Sequence, residues 1–278
     1  VDELAGIIKS IDKRHLVATV ITHNPKALDS IATYTKNLDL VGINSYGAIG
    51  KSEEIVKKSK YKGAYLITEW GPTGWWETTK TSWGAPIEQT SEEKRQVYET
   101  RYNNYILASK RCLGSFVFLW GQKEERTPTW FSMFVENNVA GLPLKGEKTP
   151  MVEAMERVWK GTELKQTAPV VEKMTIDGKT GVESVTVKAG KWFEGKVDVA
   201  DKEKDTLTFH WEILKEATVL GSGGSYEPRP ERVGSVITTK KPVCTSSVSE
   251  PGNYRLFVYI SDNTGFVSTA NVPFQIVP

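Results

Sequence analysis

The sequence has 278 residues, of which 39% are hydrophobic and 25% charged, enough to bury the core of one large domain or of two ordinary ones. Its 36 basic and 34 acidic residues leave a net charge of +2, which argues against a nucleic-acid partner or an acidic membrane surface. No apolar run reaches the roughly 18 residues of a membrane span, no signal-peptide pattern opens the chain, and Cys112 and Cys244 give neither a metal spacing nor a disulfide framework.

Val1-Asp2-Glu3-Leu4 reads as the interior of a helix that continues to Ser10, with Leu4, Ile7 and Ile8 on one face. Leu16 to Ile21 is a β-branched strand followed by His23-Asn24-Pro25. Pro25 suits the first turn of a helix running to Asn37, with Leu28, Ile31, Ala32 and Thr35 on one side. Leu38 to Ile43 is the next apolar strand, ending in Asn44-Ser45-Tyr46-Gly47. Ser52, Glu53 and Glu54 open another helix. Tyr65 to Thr68 is a short buried strand, after which Glu69-Trp70-Gly71-Pro72 places a carboxylate where the apolar run stops. A long helix is expected from Ser91 to Arg111, a strand from Ser115 to Leu119 ending at Trp120-Gly121, and a last helix from Pro150 to Lys160.

Strands alternating with helices imply right-handed crossovers and a parallel sheet. No G-x-G-x-x-G turn follows any of the strands, so a dinucleotide site is excluded and no cofactor is expected. Polar and aromatic residues after every strand (His23, Asn44 with Tyr46, Glu69 with Trp70, Trp120 with Gln122) suit the loop-bearing end of a (β/α)8 barrel. Such a barrel needs about 250 residues, and only four strands precede Thr162, so the expected fold is its C-terminal half, strands five to eight.

After Gly161 the texture changes. Thr162 to Glu172 is polar and contains Pro169, which suggests a linker. Short apolar segments then alternate with turns: Val182–Val187, Phe193–Val199, Thr206–Ile213, Ser235–Thr239, Tyr254–Ile260 and Asn271–Val277. This pattern predicts an immunoglobulin-like β-sandwich, so the chain divides into 1–162 and 169–278. Asp198, Asp201, Glu203 and Asp205 lack a calcium-loop spacing and read as solvated loop acids, leaving no metal site. Gly221-Ser222-Gly223-Gly224 reads as a flexible loop rather than a phosphate cradle.

Leu38–Tyr46, Tyr65–Gly71 and Phe116–Gly121, in that order and spacing, resemble strands six, seven and eight of the clan A glycoside hydrolases, which include the family 2 β-glycosidases and cellulase-like families. The resemblance implies retaining hydrolysis of β-linked glycans, with Glu69 of Glu69-Trp70-Gly71 as the nucleophile. It implies further that Tyr46 hydrogen-bonds the nucleophile and that Trp120 floors a sugar subsite, with Asn44, Trp70, Trp75 and Trp76 as further substrate-binding residues. Gly252 to Tyr259 resembles the late strand of cadherin-like and polycystic-kidney-disease-like modules of secreted polysaccharide enzymes, which implies a secreted or periplasmic location.

The pattern departs from that clan in one respect. Its acid/base, a Glu after Asn at the end of strand four, has no counterpart, and Glu77, Glu124 and Glu125 read as loop charges. The chain alone is therefore expected not to hydrolyse glycosides, and would be completed by an N-terminal half-barrel from another chain or by self-association. The alternative is a non-catalytic carbohydrate-binding or scaffold protein, still with an oligo- or polysaccharide as its partner.

Overall fold

A computed structural model describes residues 1–221 and 224–278, so the glycine-rich stretch Gly221–Gly224 lies partly outside the described residues. The chain forms two compact units: 1–72 with 98–118, and 73–97 with 119–278.

The first unit contains α1 (Asp2–Ile11), β1 (Ala18–Thr22), α2 (Pro25–Tyr34), β2 (Leu40–Asn44), α3 (Ser52–Lys58) and β3 (Tyr65–Trp70). It also takes the end of α4 (Ser91–Arg101), a π-helical turn over Tyr102–Leu107, and β4 (Cys112–Val117). Asn24 starts α2, its side chain accepting from the Lys26 and Ala27 amides just where Pro25 presets the first turn. In α3, Glu53 and Glu54 in the first turn and Lys57 and Lys58 in the last complement the helix dipole and pair at i,i+4.

The four strands form one parallel sheet in the order β1-β2-β3-β4. Leu40, Val41, Gly42 and Ile43 are all buried, the run expected of an inner parallel strand covered on both faces. Gly42 is required there, because a methyl group would stand 2.5 Å from the Thr68 side chain on β3.

The expectation of strands five to eight of a barrel is corrected: the four-stranded parallel sheet is a small part of a strand-rich chain whose larger unit is a β-sandwich. Its edges are β1 and β4, on which Val20 and Phe116 are 52% and 62% exposed. Among the described residues, those in strands (33%) outnumber helical ones (23%). Polar residues at the C-terminal ends of parallel strands are a property of any open α/β sheet, so their presence did not discriminate a barrel.

The second unit is a β-sandwich with an irregular layer against it. α5 (Pro150–Lys160) ends on Gly161 in the left-handed conformation (φ 65°). There follow β5 (Val170–Ile176), β6 (Val185–Lys188), β7 (Trp192–Ala200), β8 (Thr208–Lys215), β9 (Arg232–Thr239), β10 (Val243–Ser247), β11 (Gly252–Ser261) and β12 (Val267–Val277). They make a three-stranded sheet, β10-β7-β5, and a five-stranded sheet, β6-β12-β11-β8-β9, in which β6 runs parallel to β12. Phe193, Val197 and Cys244 from one sheet and Trp211, Leu256, Val258 and Phe274 from the other fill a common core.

The opposite face of the larger sheet is covered as well. Leu214, Phe257, Tyr259 and Val267 pack under Val135, Leu142 and Leu144. On the same face Glu212 accepts from Arg229, Arg232 and Tyr259, while Arg229 also binds Glu136. Cutting at the expected boundary would strip this cover, so the fragment 169–278 should melt at least about 10 °C below the second unit of the full chain. Thermal scans of both, followed by near-ultraviolet dichroism, test this, and coincident transitions would show that the cover contributes nothing.

Candidate functional site

At the C-terminal end of the parallel sheet, β2 and β3 bring three of the expected site residues together. The Tyr46 hydroxyl donates to Glu69 Oε1 at 2.7 Å, and Asn44 Nδ2 donates to Glu69 Oε2 at 2.8 Å. A second donor fixes the amide: Thr68 Oγ1 donates to Asn44 Oδ1 at 2.8 Å, leaving only the nitrogen to face the carboxylate.

The backbone explains why Thr68 and Glu69 can both reach Asn44. Ile43 pairs with Ile67, but the next residue, Asn44, pairs with Glu69, so Thr68 is the extra residue of a β-bulge. Bulges re-aim side chains next to sites. Here the bulge hands Thr68 to the amide and Glu69 to both donors.

The turn after the carboxylate is equally determined. Arg101 Nη1 donates to the Gly71 and Pro72 carbonyls at 2.6 and 3.1 Å. A methyl group at Gly71 would lie 2.5 Å from the Phe118 carbonyl oxygen and 3.2 Å from the Tyr98 hydroxyl, so only glycine lets the chain pass. Tyr46 meets Phe118 edge-on, with centroids 6.3 Å apart.

Trp70 does not join this cluster. Its ring is fully buried against Tyr98 and Tyr102, so it offers no face to a ligand. In the strand Tyr65–Trp70 the bulge at Thr68 shifts the alternation by one, so Trp70 rather than Glu69 joins Tyr65 and Ile67 at the buried positions.

Trp75, Trp76 and Trp120 belong to the second unit. Trp75 lies under the Arg126 guanidinium at 3.7 Å and meets Trp76 edge-on. Trp76 packs beside Phe131 and is 47% exposed. Trp120 is 51% exposed between Phe134 and Trp159, each with its ring centroid 5.6 Å away.

The three loop acids differ in state. Glu125 is paired with Lys123 and accepts from the Trp75 indole, and Glu77 accepts from the Gly74 amide. Both Glu124 oxygens are buried without a hydrogen-bond partner. Burial, with Glu136 nearby and Arg229 opposing, pushes the Glu124 carboxyl up to about 9. Composition gave no sign of this, since Lys123-Glu124-Glu125-Arg126 reads as a solvated charge run.

No group of three or more metal-ligating side chains occurs among the described residues. Asp201 and Asp205 instead accept from the Asp205 amide and from Gln166, and Glu203 accepts from Thr167. No helix among the described residues is long and apolar enough to cross a membrane.

No family model matches the chain, and no curated protein matches it. The solved structures described next each match less than half of this chain. One, from a study of promiscuous carbohydrate-binding modules of the β-sandwich superfamily, is 16% identical over 41% of this chain and 36% of its own, with a TM-score of 0.28. The PKD domain of an M14-like peptidase from a Thermoplasmatales archaeon is 13% identical over 40% of this chain and 94% of its own, at 0.24. The PmoD soluble domain from a Methylocystis species is 13% identical over 42% and 95%, at 0.25. At these scores the likenesses carry no argument about activity.

The resemblance to clan A glycoside hydrolases is corrected: no family model matches the chain, the structures named are a carbohydrate-binding module, a PKD domain and a PmoD domain, and the chain is not assigned to that clan. The reason is physical. The motifs that suggested it are two or three residues at strand ends, and a site of that size can be grafted on many folds.

Proposed function

We propose that the chain binds carbohydrate, as a non-catalytic binding or scaffold protein, through the cluster of Asn44, Tyr46 and Glu69. The observation that supports this is the half-buried Glu69 carboxylate, oriented through both oxygens by Tyr46 and Asn44. Each oxygen keeps acceptor capacity, and two adjacent fixed acceptors suit the neighbouring hydroxyls of a sugar ring. A carbohydrate-binding module is among the matched sandwiches, and the reading does not rest on it.

A second reading is favoured by the same geometry. A carboxylate held in one orientation by a hydroxyl and an amide is also what nucleophilic attack on an anomeric carbon requires, which would make Glu69 the nucleophile of glycoside hydrolysis.

Glu69→Gln separates the two. Wild-type protein should bind a neutral oligosaccharide in calorimetry and leave aryl β-glycosides intact. Losing the charged acceptor should weaken binding about tenfold or more. Undiminished binding by Glu69→Gln would reject the site. Hydrolysis by the wild type that Glu69→Gln abolishes would establish the second reading.

A further inference from the structure

The edges of the two sandwich sheets, β9 and β10, flank a groove of about 350 Å³. That volume lies within the ordinary range for small-molecule sites, about 300–1,000 Å³. Its floor is apolar: Trp211, Ile213 and Leu256 come from the core, with Val233 and Ile237 on β9. Its rim is hydroxylic. Ser235, Thr245, Ser246 and Ser247 line it, and none of their side chains hydrogen-bonds elsewhere among the described residues.

Trp192 stands at one end of the groove. It opens β7 opposite Ser247 and is 71% exposed. Its neighbour Phe193 points into the core, so the alternation of the strand turns Trp192 outward. A single exposed aromatic needs no explanation by itself. An exposed indole continuous with an apolar floor and four unengaged hydroxyls is a different arrangement.

The lip of the groove is shaped by an irregular strand. On β9, Val233 pairs with Ile213 and Ile237 with Trp211, so four steps on one strand oppose two on the other. Gly234, with φ 73°, begins this bulge and lines the groove. The bulge interrupts the row of free backbone groups on β9, so an added peptide strand would find no regular ladder there.

Charge defines the occupant further. Glu212 is the one ionisable residue in the lining, and its oxygens are already taken by Arg229, Tyr259 and Arg232. The groove thus offers a stacking face, an apolar bed and hydroxyl donors and acceptors, with no free charge. Those are the requirements of a neutral sugar: the apolar face of a pyranose lies on an indole while its equatorial hydroxyls exchange hydrogen bonds at the edges.

We propose that this groove is a second carbohydrate-binding site, carried by the sandwich and separate from the Glu69 cluster, which takes one or two rings of a neutral glycan with Trp192 as its stacking platform. It gives the chain a means of holding a polysaccharide that does not depend on Glu69. An affinity for the same polymer at both places would raise retention on it by effective concentration.

The test uses the full chain and cellohexaose, laminarihexaose, mannohexaose and xylohexaose as probes, followed by calorimetry and tryptophan fluorescence. At least one probe should bind and quench fluorescence. Trp192→Ala should weaken that binding about tenfold or more and Trp192→Phe about threefold, since a smaller ring keeps part of the stacking face. Because Trp192 is exposed, both variants should melt within about 2 °C of the wild type. Glu69→Ala should leave this binding event in place, which keeps the fate of this site distinct from that of the first. Three results would overturn the proposal: no probe binding at millimolar concentration, binding unchanged in Trp192→Ala, or binding abolished by Glu69→Ala alone. Displacement of the bound hexasaccharide by an extended β-forming peptide, or a stronger interaction with a heparin hexasaccharide than with any neutral probe, would overturn it too.

Discussion

Lys94→Met should cost the second unit about 3–5 kcal/mol, the penalty for removing one partner of a buried ion pair. Lys94 Nζ donates to Glu88 Oε1 at 2.5 Å and to the Thr129 carbonyl at 2.7 Å, with both charged side chains 1% exposed. Glu88 also accepts from Thr129 Oγ1, Thr127 Oγ1 and Asn271 Nδ2. Burial alone would raise its carboxyl, but the charges of Lys94 and Arg255 with these hydrogen bonds outweigh it and hold it below the usual range. In Lys94→Met the anion keeps its neutral donors and loses its counter-ion.

The sign with pH follows. In the wild type a lowered Glu88 contributes stability above about pH 4.5 and loses it as the pH falls through the folded value. Without Lys94 the same carboxyl becomes a cost above that pH. The deficit of the variant is therefore largest near neutrality and shrinks on acidification. Glu88→Gln/Lys94→Met should recover at least about half of it, because no buried charge remains. Urea melts at pH 7 and pH 4.5 measure all of this. A single-variant loss below about 1 kcal/mol at pH 7 would show that the pair is dispensable.

How much of this was legible depends on whether the deciding contact is local. Asn24-Pro25 announces the start of α2, and Pro150 and Gly161 bracket α5, because caps and breakers act within one turn. The strand Tyr65–Thr68 ending in Glu69 was readable from its apolar run, whereas the bond from Tyr46 to Glu69 was expected only through the resemblance and the bond from Asn44 was not expected. The Thr68 bulge was not, because register depends on the neighbouring strand. β5 was hidden by Glu172-Lys173 within it, and β10 by its Thr-Ser-Ser composition, which reads as a turn.

The division of the chain was the least visible feature. Residues 73–97 and 119–149 belong with the sandwich through contacts such as Asn271 to Glu88 and Arg255 to the Pro86 carbonyl, more than 160 residues apart in sequence. Periodicity carries no information at that separation. The same limit explains the barrel expectation: strand-end residues report a parallel sheet, whereas closure depends on which edges pair.

Glu124→Gln should stabilise the protein, and increasingly so as the pH rises. The Glu124 carboxyl has no hydrogen-bond partner, and burial beside Glu136, with Glu227 and Glu88 adding to it and Arg229 opposing, takes it from 4.5 to about 9. Below about pH 4.5 folded and unfolded chains both carry the proton and the residue is neutral to stability. Between there and about 9 only the folded chain keeps it, so the wild type loses about 1.4 kcal/mol per pH unit on this account. At pH 7 the accumulated cost is about 3 kcal/mol. Glutamine has nearly the same shape and cannot ionise, so it escapes the titration while leaving the packing in place. The gain of Glu124→Gln over wild type should be near zero at pH 4.5, about 3 kcal/mol at pH 7, and level above pH 9. Denaturant melts across that range read the slope directly. A difference that stays flat with pH would mean that Glu124 is ionised in the folded protein and meets a partner there.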